Sequence, residues 1–482
     1  MKHVLLTAFL SASFIINCTA QNIGIGTTAP AEKLHINGNV KSDTIKVNGI
    51  KLPPDAGEGK ILTSDASGNA SWQEGSRLNG NTGFGVWGDC ATNANIGEFQ
   101  PVADSAGLDD LVGQAVAISG NFAALGCPSD DVNGNAGQGS INLYEFNGSK
   151  WIFKQKLLDP SGAAYDGFGG AIAMSGNFLV TGSRNDDIGA NGSQGSACVF
   201  RYNGTTWVYQ QKLTDAAGAS GDVFGYSVAI YSNFIIVGSP SDDVGTNVNQ
   251  GSACIFRFNG TSWVLMQKIT DLVGDAADNF GSSVAISATH ALVGSPAETG
   301  TAGVDDRKGC VSVFYYNGST WPMVQRLSPD DALGGDYFGS ALSVSGNDLL
   351  IGAMAKDYGT NTTQGAVYFF NYGGSSWQQV EKFVDVTGIT NDQMGTVVSI
   401  SGNYAMAAGG LADVGSSINQ GKVILFQKIG NYWRKLQQIT DPSGIAIDIF
   451  GSDVGLDGTT KRFVIGAQRV YRSGGGFFGK VN

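Results

Sequence analysis

Apolar and polar positions form a pattern that repeats along most of this chain. In the clearest copy, Asp166–Trp207, three apolar runs (GAIAM, FLVTG and SACVFRY) are separated by a Ser-Gly-Asn turn and a long polar loop. An Asn-Gly turn and a Trp then begin a fourth run, WVYQQKL. Short apolar runs between Gly-, Asn- and Asp-rich turns are typical of β-strands, and Asn-Gly between two such runs predicts a hairpin. The unit therefore predicts four antiparallel strands.

The unit recurs at a nearly constant period. The Trp that begins the fourth run recurs every 56 or 58 residues, at Trp151, Trp207, Trp263, Trp321, Trp377 and Trp433. The glycine that begins the first run occurs at Gly113, Gly169, Gly225, Gly281, Gly339, Gly395 and Gly451. A fixed period of this size with four strands per unit predicts a β-propeller, in which each sheet buries its faces against its neighbours. The predicted fold class is all-β: a seven-bladed β-propeller of four-stranded antiparallel blades, preceded by a small β-rich module.

Seven first strands but only six Trp-marked fourth strands leave the last blade one strand short. Residues 96–103 precede the first unit at the distance at which a fourth strand normally stands. Gly479–Val481 is similar to Gly421–Val423, which lies in a third strand. We therefore expect the last blade to take three strands from the C-terminus and its outer strand from residues 96–103, because this arrangement removes an open sheet edge. The propeller domain then spans residues 96–482.

The residues before the propeller have a different composition. Residues 1–20 combine Lys2, an apolar run and a small-residue site before Gln21, which together predict a cleaved secretory signal peptide. Residues 21–75 predict a small β-rich N-terminal module, and the Gly- and Asn-rich residues 76–95 predict a linker. No later apolar run has the length needed to span a bilayer. The expected localisation is secreted or at the cell surface, without membrane insertion.

Charge and cysteine content narrow the classes of partner. The formal net charge is −12, which argues against nucleic acid and anionic membrane surfaces because both attract basic proteins. One of the six cysteines lies in the predicted signal peptide, so five remain. An odd number without close spacing does not predict a disulfide framework, and we expect buried thiols.

Histidine, a frequent general base and metal ligand, is scarce. The three histidines are His3, His35 and His290, and we expect His290, the one in the propeller, to lie in a surface turn. No Ser-His-Asp, Cys-His or His-based metal site can then be assembled there. The sequence predicts no catalytic residue, and carboxylate-based chemistry is the open alternative because acids are plentiful.

The acidic residues concentrate on one predicted face. In a propeller the strand 1–2 and 3–4 turns lie on one face, and the 2–3 and 4–1 loops lie on the other. One acidic set precedes every first strand: Asp110, Asp166, Asp222, Asp278, Asp336, Asp392 and Asp448. Because every unit has this residue, we expect it to accept backbone N–H groups rather than to bind a ligand.

A second acidic set lies in the 2–3 loops and supplies the candidate site. The candidate ligand-binding residues are Asp131, Asp187, Asp243, Asp357 and Asp413, joined in the irregular fourth unit by Glu298, Asp305 and Asp306. Turn formation is the alternative role for them. Candidates for weak calcium binding are the doubled acids Asp130, Asp131, Asp186, Asp187, Asp242 and Asp243. No other cofactor is predicted.

Two further repeated side chains favour structural roles. A basic residue lies five positions after the Trp in the outermost strand, where charge discourages edge-to-edge pairing: Lys156, Lys212, Lys268, Arg326 and Lys382. The strand-four Trp rings are expected to pack between blades. Rings turned outward would instead favour a lectin.

These residues resemble the FG-GAP repeat of integrin α-subunit propellers. Phe224-Gly225 begins a first strand, and Val237-Gly238-Ser239-Pro240 stands where the family has its Gly-Ala-Pro. The resemblance covers residues 96–482 and implies a seven-bladed propeller closed by an N-terminal strand. The family often has a calcium loop between strands one and two. Here that turn is only Ser175-Gly176-Asn177, too short to surround a cation that takes six to eight oxygens, so this metal site is not carried over.

Residues 22–75 resemble a module of bacterial surface and phage tail-fibre-like proteins. In such proteins the module is short, β-rich and often trimeric, so the resemblance implies a bacterial secreted protein whose N-terminal module can mediate oligomerisation. A linker that becomes ordered only on contact is the alternative.

The predicted function is that of an exported, surface-associated recognition or adhesion protein without catalytic activity. The expected partner is a protein or glycan on a surface. The first alternative is a carbohydrate-binding lectin, which requires exposed aromatic rings in repeated pockets. The second is a carboxylate-based polysaccharide-cleaving enzyme, which requires one asymmetric cleft with a pair of acids.

Overall fold

A computed structural model describes most of the repeated region and several short strands before it. Residues 110–299, 306–441, 444–468 and 474–481 are described in full, with strands between residues 23 and 103. The chain divides into two compact units, Met1–Trp87 and Gly88–Asn482. The predicted signal peptide and linker lie outside the described residues. The described part of the chain contains no helix that could cross a membrane.

The first unit contains four short strands. Strand β1 (Ile23–Ile25) pairs in parallel with β2 (Leu34–Ile36), and β3 (Lys60–Ser64) pairs antiparallel with β4 (Ala70–Glu74). All four lie within the segment predicted to be β-rich. Its resemblance to tail-fibre-like modules and its role in oligomerisation stay predictions.

The second unit consists of seven four-stranded antiparallel sheets, which are the blades of a propeller. The predicted fold class is therefore confirmed. In blades 1 to 6 the chain runs from an innermost first strand to an outermost fourth strand. Blades 1 to 3 consist of β6 (Val116–Ser119), β7 (Phe122–Cys127), β8 (Ser140–Phe146), β9 (Trp151–Leu157), β10 (Ala171–Ser175), β11 (Phe178–Ser183), β12 (Ser196–Tyr202), β13 (Trp207–Leu213), β14 (Ser227–Tyr231), β15 (Phe234–Ser239), β16 (Ser252–Phe258) and β17 (Trp263–Ile269).

Blades 4 to 6 have the same order. They consist of β18 (Ser283–Ile286), β19 (His290–Ser295), β20 (Cys310–Tyr315), β21 (Met323–Leu327), β22 (Phe338–Ser345), β23 (Asp348–Ala353), β24 (Ala366–Tyr372), β25 (Trp377–Phe383), β26 (Val397–Ser401), β27 (Tyr404–Gly409), β28 (Lys422–Ile429) and β29 (Tyr432–Ile439).

Blade 7 combines the two ends of the propeller. It contains β30 (Phe450–Asp457), β31 (Arg462–Ala467) and β32 (Gly475–Lys480), and β32 pairs with β5 (Gln100–Ala103). Gly479 lies in a third strand as predicted, but the alignment of Gly479–Val481 with Gly421–Val423 is wrong by five residues. Ala467 pairs with Gly475 as Gly409 pairs with Lys422, so the residue equivalent to Gly421 is Gly474. Similarity over three residues does not determine which residues pair between two strands.

The glycine that begins each first strand is required by a close approach of two backbones. Gly225 has φ +90°, and a Cβ added there would lie 2.2 Å from the carbonyl oxygen of Ser196. No other residue fits such a site without displacing the backbone. Six of the seven glycines have such a contact at 2.2–2.6 Å, and all seven have positive φ, which explains why the glycine recurs.

Aromatic side chains pack between most neighbouring blades. In blades 1 to 3 the first residue of the second strand meets the Trp of the following blade edge-on, with ring centroids 5.2–5.4 Å apart: Phe122–Trp207, Phe178–Trp263 and Phe234–Trp321. The six Trp rings are at most 5% exposed. Their predicted packing between blades is confirmed, and the outward orientation that a lectin would require is not observed.

Side-chain amides join the outer strands of neighbouring blades. Gln155 accepts the N–H of Trp207 at 3.0 Å and donates to the carbonyl oxygen of the same residue at 2.8 Å. The same two bonds recur in the pairs Gln211–Trp263, Gln267–Trp321 and Gln325–Trp377. The outer strands of neighbouring blades do not pair with each other. The glutamine amide makes the donor and acceptor bonds that a backbone peptide group would make in a continuous sheet.

At the contact between blades 7 and 1, two carboxylates accept backbone N–H groups. In blade 7, Asp453 and Asp457 accept the N–H groups of Val116 and Gly120 at 2.7 and 2.6 Å. Between blades 6 and 7, by contrast, the hydroxyl of Ser401 accepts the N–H of Gly458 at 2.9 Å. The closing contact therefore differs from its neighbour in the chemical group that accepts the N–H.

His290 lies in a buried strand and not in the surface turn that we predicted. It is the first residue of β19, is 4% exposed, and lies with its ring 4.6 Å from Tyr372 and 5.4 Å from Trp377. It takes the place that Phe234 has one blade earlier. The signal was present in the sequence, because His290 follows Phe234 by one period of 56 residues.

We predict that replacing His290 by Phe makes the protein less sensitive to acid. Burial lowers the pKa of His290, so the unfolded chain binds its proton more readily, and stability is lost as the pH falls below about 6.5. The difference in unfolding free energy between His290→Phe and the wild type should grow by about 1 kcal/mol from pH 7.5 to 5.5. Denaturation at both pH values measures it. A constant difference would contradict the burial of a neutral imidazole.

Closure of the ring predicts that a deletion in the outer strand of blade 7 is destabilising. Removing residues 96–103 deletes the partner of β32 and exposes its edge, so we expect aggregation and a loss of roughly 3 kcal/mol, at about 1 kcal/mol for each strand hydrogen bond. Deleting residues 80–87, an equal number in the predicted linker, is the control. Equal melting temperatures for the two deletions would contradict the closure.

Candidate functional site

The loops between strands two and three and between strands four and one form one face, which we call the loop face. In blade 2, Asn191 donates to Gln194 Oε1 at 2.9 Å and to the carbonyl oxygen of Gly218 at 3.1 Å. Gln194 in turn donates to the carbonyl oxygen of Asp215 at 2.7 Å. In blade 2 the 2–3 loop therefore holds the 4–1 loop that leads to the next blade, and the same holds in blades 1, 3 and 5. The equivalent pairs are Asn135–Gln138, Asn247–Gln250 and Asn361–Gln364.

The candidate ligand-binding aspartates of the 2–3 loops close their own loops. Asp187 accepts the N–H of Ser193, six residues later, at 2.7 Å. Equivalent bonds of 2.8 Å join Asp131 to Gly137, Asp243 to Asn249, Asp357 to Thr363 and Asp413 to Asn419. Asp131, Asp187, Asp243 and Asp357 are exposed, and Asp413 is half-buried. The structure places one such carboxylate in each of five blades.

The first aspartate of each doubled pair is buried against a cation. Lys212 Nζ lies 2.5 Å from Asp186 Oδ2 and 2.8 Å from Asp159 Oδ2. Lys268 makes the same contacts with Asp242 and Asp215, and Lys156 pairs with Asp130. Our prediction that these lysines serve to discourage edge-to-edge pairing of the outermost strands is wrong. Their long side chains reach from the outer strand to carboxylates under the loop face.

This arrangement keeps the buried groups ionised. Burial opposes ionisation of Asp159, but hydrogen bonds from Lys212 and from the N–H of Ser161 outweigh it and hold the Asp159 pKa below its usual value. Burial likewise opposes the charge of Lys212, and hydrogen bonds to Asp159 and Asp186 outweigh it and raise the lysine pKa. Lys212 thus lies as one positive charge between two carboxylates.

The cation changes position between blades but stays beside the carboxylates. In blade 5, Lys356 stands where blade 3 has Asp242 and lies 2.7 Å from Asp336. In blade 6 the cation is Lys422 of the third strand, which lies 2.9 Å from Asp385 and 2.8 Å from Asp392. The loop and strand-four positions of blade 6 are the uncharged Ala412 and Gln438.

Blade 4 holds a distinct group of ionisable side chains. Asp271, Glu298 and Cys310 are, within the described part of the chain, the one group of three potential metal ligands with their atoms within 4.8 Å of one another. The guanidinium of Arg326 lies 2.5 Å from Glu298, 3.2 Å from Asp271 and 3.2 Å from the Cys310 sulfur. A permanently charged guanidinium in contact with all three ligands disfavours a metal ion there.

Protonation in blade 4 agrees with this interpretation. Burial and the neighbouring Asp278 raise the pKa of Glu298 to about 8. Burial also raises the pKa of the Cys310 thiol to about 12, whereas a metal ligand must be a thiolate. In the enlarged loop of this blade, Asp306 lies 3.2 Å from Lys308, and Asp305 lies outside the described residues.

The acids that precede the first strands have the predicted backbone role. Asp166 and Asp222 accept the N–H groups of Ala163 and Ala219, three residues earlier, at 2.6 Å. Equivalent bonds are made by Asp278, Asp336, Asp392 and Asp448. These aspartates are buried and close the 4–1 loops. The weak calcium site stays a prediction. Its six candidate carboxylates lie in three different blades, two in each.

Asp453 is a site residue that the sequence analysis missed. It lines the cavity enclosed by the first strands, and burial raises its pKa to about 7 although two backbone N–H groups donate to it. A signal was available in the repeat. The equivalent residues of the other six blades are Ala115, Ala171, Ser227, Ser283, Ala341 and Val397.

The network under the loop face predicts a large loss of stability when its cation is removed. Lys212→Met leaves Asp159 and Asp186 buried without a cation, and we expect a loss of about 3 kcal/mol. Lys154→Met is the control, because Lys154 pairs with Glu145 at 2.7 Å on an exposed surface, where a pair contributes about 0–1 kcal/mol. Chemical denaturation of both variants tests this. Equal stabilities would show that Lys212 is an ordinary surface charge.

Comparison with known proteins agrees with this architecture. Residues 151–200, 207–256, 263–314 and 321–370 each match the FG-GAP repeat. The first of these segments begins at the Trp of one blade and ends in the third strand of the next, so the sequence repeat spans the contact between two blades. None of the curated proteins compared with this chain matches it. The chain thus contains FG-GAP repeats and forms a seven-bladed, integrin α-like FG-GAP propeller.

Proposed function

We propose that this protein is an exported, surface-associated recognition or adhesion protein whose loop face binds a protein or glycan. FG-GAP propellers are typically non-catalytic, and their fold is compatible with this role. The observation that carries the proposal is the contrast between the two faces. The loop face has long loops whose exposed side chains differ between blades and several of which are held by Asn and Gln side chains, whereas the opposite face has short, similar turns. Recognition is commonly carried by loops on a rigid scaffold.

The exposed groups of the loop face define the chemistry of the partner. Exposed apolar side chains differ from loop to loop: Leu272, Val386, Leu333 and Ile418 are exposed by 82%, 68%, 63% and 61%. The exposed aspartates of the 2–3 loops lie on the same face. A partner that presents cationic or hydroxyl groups beside apolar surface would complement this combination.

The two alternative functions have less support. A lectin that stacks sugars on repeated Trp rings is not favoured, because the six rings are buried. A carboxylate-based enzyme would require a pair of acids open to substrate. The acids brought together in blade 4 are in contact with Arg326 instead.

Charge removal on the loop face tests the proposal. The variant Asp131→Asn, Asp187→Asn, Asp243→Asn and Asp357→Asn keeps an oxygen acceptor for each loop N–H and removes four charges. On a glycan array and on amine-coated beads, we expect the variant to bind at least about tenfold more weakly than the wild type, since contacts to charged groups contribute about 1.5–3 kcal/mol each.

The control alters the opposite face. Asn147→Gly with Asn203→Gly changes two strand 3–4 turns, and Gly373-Gly374 already occupies the equivalent turn of blade 5. Binding by this variant should equal that of the wild type. Loss of binding in the turn variant, with binding retained by the aspartate variant, would place the site on the opposite face.

A further inference from the structure

The first strands of the blades enclose a central channel, and a second cavity lies at the end of this channel that is nearer the loop face. The second cavity has a volume of about 460 Å³, within the range of about 300–1,000 Å³ that is usual for small-molecule sites. It shares with the channel four residues that directly follow opening glycines: Gln114, Tyr226, Thr396 and Ser452. Loop residues complete its wall, among them Arg184, Gln393 and Gln468. We call it the mouth cavity.

The charge of the mouth cavity differs from that of the acidic face around it. Among the described residues that line it, Arg184 is the one charged residue, and none is Asp or Glu. Asp453 lines the channel but not this cavity. Arg184 is exposed and forms no ion pair with any described residue. The cavity therefore favours an anionic group over a cationic one.

Tyr226 of blade 3 orients Arg184, which directly follows strand β11 of blade 2. The guanidinium carbon lies 5.6 Å from the centre of the Tyr226 ring, a cation–π contact. A guanidinium held in this way can still donate two parallel hydrogen bonds in its own plane, and this geometry matches a carboxylate. The anionic group that fits best is therefore a carboxylate.

Three half-buried amides of the mouth cavity are available for hydrogen bonds. Within the part of the chain that the structure describes, the side chains of Gln114, Gln393 and Gln468 make no hydrogen bond, and neither does the hydroxyl of Tyr226. The amide of Gln194, by contrast, is used to hold a loop. An amide offers both donors and an acceptor, and a sugar hydroxyl does the same. These groups therefore suit a ligand with several hydroxyls.

These side chains break the repeat, which argues against a structural role for them. Arg184 and Gln468 share one position of the unit, which in the other blades holds Pro128, Pro240, Pro296, Met354 and Gly410. Gln393 has another position, which elsewhere holds Leu111, Gly167, Val223, Asn279, Tyr337 and Ile449. A side chain that the fold needed would recur, as the aspartate before each first strand does.

We propose that the mouth cavity binds a sugar acid, which is a ring with several hydroxyls and one carboxylate. The carboxylate accepts hydrogen bonds from Arg184, and the hydroxyls exchange hydrogen bonds with Gln114, Gln393 and Gln468. A free monosaccharide and the end of a glycan chain share this chemistry. The proposal does not rest on the loop-face site described above, because none of the exposed 2–3 loop aspartates lines this cavity.

Ligand-observed NMR titration of the full chain at pH 7 tests the proposal. The probes are methyl β-D-glucuronide and methyl α-D-galacturonide, and the matched neutral sugars are methyl β-D-glucoside and methyl α-D-galactoside. Cyclohexanecarboxylate has the charge without the hydroxyls. We expect saturable binding of at least one sugar acid, and at least about tenfold weaker binding of its neutral counterpart and of cyclohexanecarboxylate.

Matched variants assign the binding to this cavity. Arg184→Gln introduces the residue that blade 7 has at this position, and sugar acid binding should weaken at least about tenfold. Arg201→Gln is the control, because Arg201 is also exposed and lies 5.5 Å from the Phe178 ring but outside the cavity lining. Gln393→Leu introduces the residue of blade 1, since Leu111 has nearly the same φ, and should weaken binding about threefold. Melting temperatures show whether the variants are folded.

The outcomes are distinct. Tighter binding of a tetrasaccharide that ends in the bound sugar acid supports a glycan chain, and equal binding supports a free monosaccharide. The proposal is overturned if neither sugar acid binds saturably, if a neutral sugar or cyclohexanecarboxylate binds as tightly, or if Arg184→Gln binds like the wild type. The four-aspartate variant described above should bind the sugar acid like the wild type, so each proposal can fail without the other.

Discussion

Every blade of this propeller has two apolar faces, and both must be covered by neighbouring blades. A four-stranded sheet alone would leave one or both faces in water, so the fold depends on a closed ring in which each sheet is buried on both sides. The repeated unit supplies the means at each level of the blade. A glycine before the first strand allows the chain to pass close to the backbone of the preceding blade, aromatic rings pack between blades, and in four contacts a glutamine amide joins the outer strands. Where blade 7 meets blade 1, Asp457 accepts an N–H group that serine accepts elsewhere, and Asp453 accepts a further one.

Under the loop face, every blade described above places a cation beside its buried carboxylates, but the position of that cation in the sequence varies. A carboxylate that closes a loop from inside is costly without a cation nearby, but several positions can supply one. The fourth strand does so with Lys212, a loop with Lys356, and the third strand with Lys422. What is kept from blade to blade is the proximity of opposite charges. The position of the lysine in the sequence is not kept.

The hydrogen bonds and ion pairs distinguish two classes of acidic residue on the loop face, which are the buried carboxylates and the exposed carboxylates of the 2–3 loops. The buried carboxylates hold the 4–1 loops or pair with cations, and the exposed ones close the 2–3 loops at whose surface they lie. A partner of the loop face would thus meet an ordered surface, and little conformational entropy would be lost on binding. The central channel differs again, because Asp453, the one carboxylate among its described lining residues, serves the closing contact.

The sequence by itself determined the seven blades, the four strands in each and the buried Trp rings, because a period of 56 or 58 residues and the alternation of apolar runs with turns are properties of the chain alone. The same period could have placed His290 in an aromatic contact. Only the tertiary structure decided that Lys212 turns inward to Asp159 and Asp186 and that Asp453 lines a channel. The partners of these charged groups come from other loops or blades, 26, 53 and 337 residues away in the chain. The pattern along a strand shows which side chains lie on the same face of the sheet. The partner of a charged side chain depends instead on which loops and blades the fold brings next to it.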